Sequence, residues 1–163
     1  MKKSALAVAL LSTLTASAVF AGIVTPVSIS TSKTETRAYV GLNWTLGGGA
    51  TPALVLGAFR TKVESDGDTQ GGNLAFHINL AGGVKPGKLK LGYLNGKEDI
   101  QGELGIGYDF MKNSPLLGLG INAPYVNVSV DAYMNPGFIP YGTLHTQGEF
   151  DKPNQAIIAL PVT

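Results

Sequence analysis

An all-β fold, a single antiparallel up-and-down barrel of about eight strands joined by short hairpin turns, is what this sequence predicts. Three observations point there. Short stretches alternate apolar and polar residues with a two-residue period, and outside the first twenty residues no segment keeps a 3.6-residue period. The apolar rows carry almost no charge. The junctions between stretches concentrate Gly, Pro, Asn and Asp, the residues that turns select.

The elements follow in chain order. Lys2 and Lys3, the apolar run Ala5 to Phe20 and the small-residue site Val19-Phe20-Ala21 read as an export signal cleaved after Ala21. Residues 22–35 are Ser/Thr-rich and read as an extended lead-in, residues 36–150 as the barrel, and 151–163 as a tail. The clearest strand is 36–46, where Ala38, Val40, Leu42, Trp44 and Leu46 share one face and Arg37, Tyr39, Asn43 and Thr45 the other. Further strands are expected at 53–64, 73–81, 87–95, 100–111, 115–122, 125–134 and 140–150. Gly47-Gly48-Gly49, Asp66-Gly67, Gly82-Gly83 and Asn135-Pro136-Gly137 mark turns between them. Asn95-Gly96 is the strongest hairpin signal, because both residues tolerate the positive φ of a type I′ turn. Pro153 is expected to end the last strand, with the tail either on the barrel rim or beside the lead-in.

Composition bounds the chemistry. Without residues 1–21 the chain carries 10 basic and 11 acidic residues, a balance that gives no reason to expect nucleic acid as a partner. There is no cysteine, so neither disulfides nor thiol chemistry can contribute. Only 14% of residues are charged against 22 glycines, which fits a tightly turning β protein.

Extending the alternation assigns two faces. The oily face takes Val55, Phe59 and Val63; Leu74, Phe76, Ile78 and Leu80; Leu89, Leu91 and Tyr93; Ile100, Leu104, Ile106, Tyr108 and Phe110. It continues with Leu117, Leu119 and Ile121, and with Val126, Val128, Val130, Ala132 and Met134. The polar face takes Arg37, Arg60, Lys62, Lys88, Lys90, Glu103, Asp109, Asp131 and Glu149 among amides, histidines and glycines. A lysine or arginine at the midplane of a barrel's lipid face costs about 2–4 kcal/mol, so a bilayer would sweep one face clean of charge. The expectation is therefore a transmembrane barrel with an interior charge cluster of Arg37, Arg60, Lys62, Lys88, Lys90, Glu103 and Asp109, the basic side chains facing the acidic ones. Trp44, Tyr93, Phe110 and Phe150 near strand ends read as interfacial aromatics.

No catalytic, cofactor or metal constellation stands out. His77 and His145 are the only histidines and fall on different strands. A Ser129, His145 and Asp131 triad would need spatial proximity that the sequence does not supply, and satisfied interior polar residues are the simpler reading. Gly47-Gly48-Gly49 lacks the lysine and helix of a phosphate loop.

Taken together, the signal segment, alternating strands, polar interior and hairpin spacing resemble the small eight-stranded outer-membrane β-barrels of Gram-negative bacteria, the architecture shared by OmpX and the OmpA membrane domain. The resemblance spans about residues 36–150. It implies export through the Sec pathway, insertion by the barrel assembly machinery, and outer-membrane lipid and lipopolysaccharide as neighbours. It implies a non-enzymatic barrel serving envelope structure or narrow permeability. Members usually end in a strand with a terminal aromatic; here thirteen residues follow Phe150. Two other readings place the same faces differently. One is a soluble periplasmic or secreted barrel with Trp44, Phe59, Phe76 and Tyr108 lining an apolar ligand site. The other is a lipid A-modifying barrel enzyme. If the N-terminus is periplasmic, the turns at 47–52, 82–87, 112–115 and 135–140 face outward.

Overall fold

The computed structural model describes residues 27–29, 31–48, 51–134, 137–154 and 156–158. The export-signal segment expected at 1–21 lies outside the described residues.

The described residues form ten strands: β1 (Val27–Ile29), β2 (Ser32–Thr45), β3 (Ala53–Glu64), β4 (Asp68–Asn79), β5 (Lys85–Lys97), β6 (Gln101–Asp109), β7 (Ser114–Ala123), β8 (Val126–Tyr133), β9 (Gly137–His145) and β10 (Ala156–Ile158). Strands β2 to β9 pair with their chain neighbours, all antiparallel, and β9 returns to β2 to close the barrel. The stagger can be counted. The row of paired residues Glu35, Thr61, Gly71, Leu94, Glu103, Gly120, Ser129, Tyr141 comes back to β2 at Thr45, ten residues beyond its start. With strands about 4.8 Å apart and a rise of about 3.3 Å per residue, that stagger tilts the strands by about 40° and sets a radius of about 8 Å. A cylinder of that size is filled by its own side chains.

Turn chemistry explains the connections. Gly67, Gly82 and Gly83 have φ of 90°, 71° and 110°, the left-handed region that glycine enters without steric cost. The Asn95-Gly96 expectation is corrected. Both residues lie in β5, paired with Gly102 and Gln101, and the reversal comes two residues later, where Lys97 and Ile100 exchange backbone hydrogen bonds around Glu98-Asp99. Pairing with β6 fixes the register, and that register outweighs the local preference of an Asn-Gly pair.

The last strand is also shorter than its sequence suggested. β9 stops at His145, and residues 146–154 leave the sheet as a strap across the end of the barrel where β2 begins. Tyr125 donates its backbone N–H to the Gln147 carbonyl, Phe150 donates to the Glu98 carbonyl, and the Thr31 hydroxyl donates to the Asn154 carbonyl. Arg37 donates to the Glu149 carbonyl at 2.8 Å and pairs with Asp151 at 2.6 Å. Lys152 pairs with Glu98 on the opposite wall, and that ammonium holds the Glu98 carboxyl below its ordinary value. Beyond the strap, β10 pairs antiparallel with β1, so the tail lies beside the lead-in.

Candidate functional site: a layered polar lumen

Alternation sends every second side chain of β2 to β9 inward, and these form three layers. At the strap end the layer is apolar. Phe59, Val63 and Leu94 meet Phe150, which folds back from the strap; the Phe59 and Phe150 rings meet edge to face at 5.8 Å. Two expectations are corrected here. Phe150 is 4% exposed and belongs to the interior, not to an interfacial girdle. Val55, Phe59 and Val63 point inward, so Arg60 and Lys62 point outward; Arg60 is exposed and Lys62 pairs with Glu64 at 2.9 Å. The physical reason lies in β3, which carries apolar residues on both faces (Ala53-Leu54-Val55-Leu56-Gly57-Ala58-Phe59) and leaves its orientation to packing. Gly57 pairs with Tyr39, and a Cβ there would collide with the Tyr39 ring. That ring stacks on Phe59 at 4.6 Å. Only the orientation with Gly57 inward accommodates Tyr39 inside the barrel.

The middle layer is built around Glu103. Its carboxylate accepts from the side-chain amides of Asn73 at 3.1 Å and Asn122 at 2.6 Å, with Asn127 at 3.5 Å. Tyr39 in turn donates to the Asn73 carbonyl oxygen at 3.0 Å. Glu103 is therefore held by amides rather than by a lysine. Gly92 leaves the space it needs, because a Cβ there would collide with the carboxylate.

The third layer is ionic. Asp131, with no exposed surface, accepts from Lys88 at 2.5 Å through one oxygen and from Lys90 at 2.7 Å through the other. Both ammonium groups also face the Tyr141 ring, at 4.1 and 4.8 Å from its centre, and Lys90 donates to the Tyr141 hydroxyl. Asp109, in the same half of the lumen, is occupied by the backbone N–H groups of Met111 and Lys112 and by the Tyr133 hydroxyl. Of the expected cluster, Lys88, Lys90, Glu103 and Asp109 are inside. Arg37 sits half-buried at the strap, bound to Glu35 and Asp151. The counter-ion of the two lysines is Asp131, a residue on the expected polar face that had not been assigned to them. A buried carboxylate between two long cations is legible only once β5 and β8 are placed across the lumen from each other.

The space left over is small. The cavity bounded by Tyr39, Asn73, Lys90, Glu103, Asn127 and Tyr141 is about 20 Å³, room for about one water molecule. Ser129 donates to the Asn127 side chain and Asp131 is engaged with lysines, so Ser129, His145 and Asp131 are not joined by hydrogen bonds as a triad. No group of three or more His, Cys, Asp or Glu side chains that could hold a metal ion occurs among the described residues.

The outer face is the converse. Val40, Leu42, Leu74, Leu89, Leu91, Leu104, Ile106, Leu117, Leu119, Ile121, Val128 and Leu144 are all exposed, several beyond 60%. Trp44, Phe76 and Tyr108 lie on this face, with only Phe59 of that aromatic set inside. Tyr93 and Phe110 are exposed on it at 54% and 45%, joined by Tyr108 and Phe138. Along β8 and its turn the outward row runs from Val126 to Met134. At the tilt derived above it covers about 20 Å of barrel height. Charged outward residues gather toward the strap end, at Arg60, Lys62, Glu64, Asp68 and Lys97. Soluble monomers rarely expose a continuous apolar surface of this extent.

The fold and site thus define a closed eight-stranded β-barrel, apolar on its outer belt and polar within except for the apolar layer at the strap end. No family model, curated protein or solved structure matches the chain.

Proposed function

We propose that this protein is a non-enzymatic outer-membrane β-barrel whose role is structural: it spans the outer leaflet-to-inner leaflet thickness as a closed, charge-paired plug. The carrying observation is the inversion of polarity, with lysine–aspartate and glutamate–amide networks in the lumen and a charge-free apolar belt outside. In water such a belt would be exposed at a cost of about 25 cal/mol for each Å² of apolar surface, whereas lipid tails accept it without penalty. The belt height of about 20 Å approaches the roughly 25 Å of barrel proteins in bilayers. Aromatic residues at its margins and Arg60 beyond one edge match the demands of the two interfaces. A lumen cavity of about 20 Å³ favours the structural role over passage of solutes. The neighbours this reading supplies are outer-membrane lipid and lipopolysaccharide, with the barrel assembly machinery acting during insertion.

Cell fractionation combined with gel mobility tests it. The protein should partition with outer membranes and migrate differently before and after boiling. Recovery in the soluble periplasmic fraction without detergent would defeat the proposal. In planar bilayers, the purified protein should give no large stable conductance.

A further inference from the structure

We infer that the open mouth at the end opposite the strap is a binding site for a small oxyanion of the phosphate type. The mouth is a cavity of about 200 Å³, against about 20 Å³ for the interior one, and so admits a phosphate group with part of its hydration. Its walls carry Asn43, His77, Asn79, Lys88, Asp109 and Lys112.

Counting charge and bonding capacity decides the sign of the ligand. Asp109 is the one carboxylate on the wall, and both its oxygens are engaged: one by the N–H groups of Met111 and Lys112, the other by the Tyr133 hydroxyl. It has little acceptor capacity left for a cation. Behind the wall, Asp131 is shared by Lys88 and Lys90, one carboxylate for two ammonium groups. Lys88 makes a single side-chain hydrogen bond, to Asp131, and keeps N–H donors to spare on the wall of the cavity. Lys112, at the rim, has no acidic partner within ion-pair distance among the described residues; its ammonium rests 4.0 Å from the centre of the Tyr133 ring. The mouth with its backing layer therefore holds Lys88, Lys90 and Lys112 against Asp109 and Asp131, one positive charge in excess. The amides of Asn43 and Asn79 add donors that suit an oxyanion. The Asn43 amide already donates to Thr143 at 2.8 Å and to the Gly142 carbonyl at 3.4 Å, so Asn79 is the freer donor of the two. His77 is 4% exposed, lines the same cavity and leaves its Nδ1 without a hydrogen-bond partner, a vacancy that buried polar groups seldom show.

The bound anion would accept from Lys88 at the floor and Lys112 at the rim, with Asn79 between them. Its source is either a free phosphate or the phosphate of a lipid headgroup reaching over the rim. The lipid source rests on the membrane reading above; the free-phosphate source does not.

The test is calorimetric titration of the purified, detergent-solubilised full chain with inorganic phosphate, and separately with phosphatidic acid in mixed micelles. K112A, N79A and, as a control at the opposite end, K62A are titrated in parallel. Lys88 is part of the interior network, so K88Q serves only if its heat-modifiable mobility is intact. Saturable one-to-one binding of phosphate, weakened about tenfold or more by K112A and unchanged by K62A, supports a free-anion site. Binding of phosphatidic acid alone with the same Lys112 dependence supports the site with the lipid as its source. Absence of saturable binding to both, or equal weakening by K62A and K112A, overturns the inference.

Discussion

Replacing Asp131 by asparagine keeps the size of the side chain and removes its charge. In the folded barrel Asp131 is wholly buried and is the sole carboxylate bound to Lys88 and to Lys90, at 2.5 and 2.7 Å. Removing one partner of a buried pair typically costs about 3–5 kcal/mol, because the other charge is left desolvated and uncompensated. Here two ammonium groups lose the same partner; Lys90 borders only the interior cavity of about 20 Å³, with no room for a hydration shell, while Lys88 borders the open mouth, where water softens its loss. Tyr141 offsets part of the loss through its ring and hydroxyl. We therefore expect D131N to lose about 3 kcal/mol or more, which at a urea slope of about 1–3 kcal/mol/M lowers the midpoint by about 1 M or more. The assay is urea unfolding in lipid vesicles followed by the fluorescence of Trp44, the single tryptophan. Adding K88M to D131N should restore part of the loss, since one of the orphaned charges is then gone. An unchanged midpoint in D131N, with an unchanged slope, would refute the reasoning that this carboxylate neutralises the lumen.

Other perturbations probe the remaining layers. Phe150→Ala should destabilise the barrel by about 3–5 kcal/mol, as for a buried aromatic in a packed core, and should make residues 146–154 sensitive to protease. If Phe150 were an interfacial aromatic instead, the loss would be far smaller and the strap would stay protected. Gly118→Ala places a Cβ 2.8 Å from the Lys90 ammonium, so the ion-paired layer must shift; the unfolding midpoint should fall more than for Gly142→Ala, where nothing lies within 4 Å. The strap should loosen in acid. Lys152 lowers the Glu98 pKa in the folded state, so this pair's contribution is present above the unfolded carboxylate value and fades as pH falls through the folded one. Protease nicking of the strap should rise over that range in the wild type, and E98Q should show the raised rate already at neutral pH.

The alternating rows of β2, β5, β6, β7 and β8 were legible because their aliphatic residues fall almost wholly on the outer face, with Leu94 of β5 and Leu116 of β7 the aliphatic residues turned inward, and closure of eight such strands follows from their spacing. β3 was not legible. Its apolar residues occupy both faces, and the choice between them is made by Gly57 accepting the Tyr39 ring from the next strand. Phe150 was misplaced for a related reason. Residues 141 to 150 keep a two-residue alternation, yet the sheet ends at His145 because β8 begins at Val126, opposite Leu144; past the Thr146 to Val40 backbone bond the chain leaves β2 and turns inward to fill the apolar end of the lumen. The ionic layer was half visible: the lysines are two residues apart on one strand, but their shared aspartate lies 41 and 43 residues away in sequence and meets them only across the closed barrel.

The central claim is that the oily face meets lipid. Trp44 sits on that face between Asn43 and Thr45, and as the single tryptophan it reports its surroundings without any substitution. The decisive measurement is its fluorescence in vesicles whose acyl chains carry bromine. A lipid-facing Trp44 should emit at short wavelength and be quenched strongly by the brominated chains, while aqueous iodide quenches it weakly. Strong quenching by iodide with none by bromine, from a protein that stays dissolved without detergent, would contradict the account.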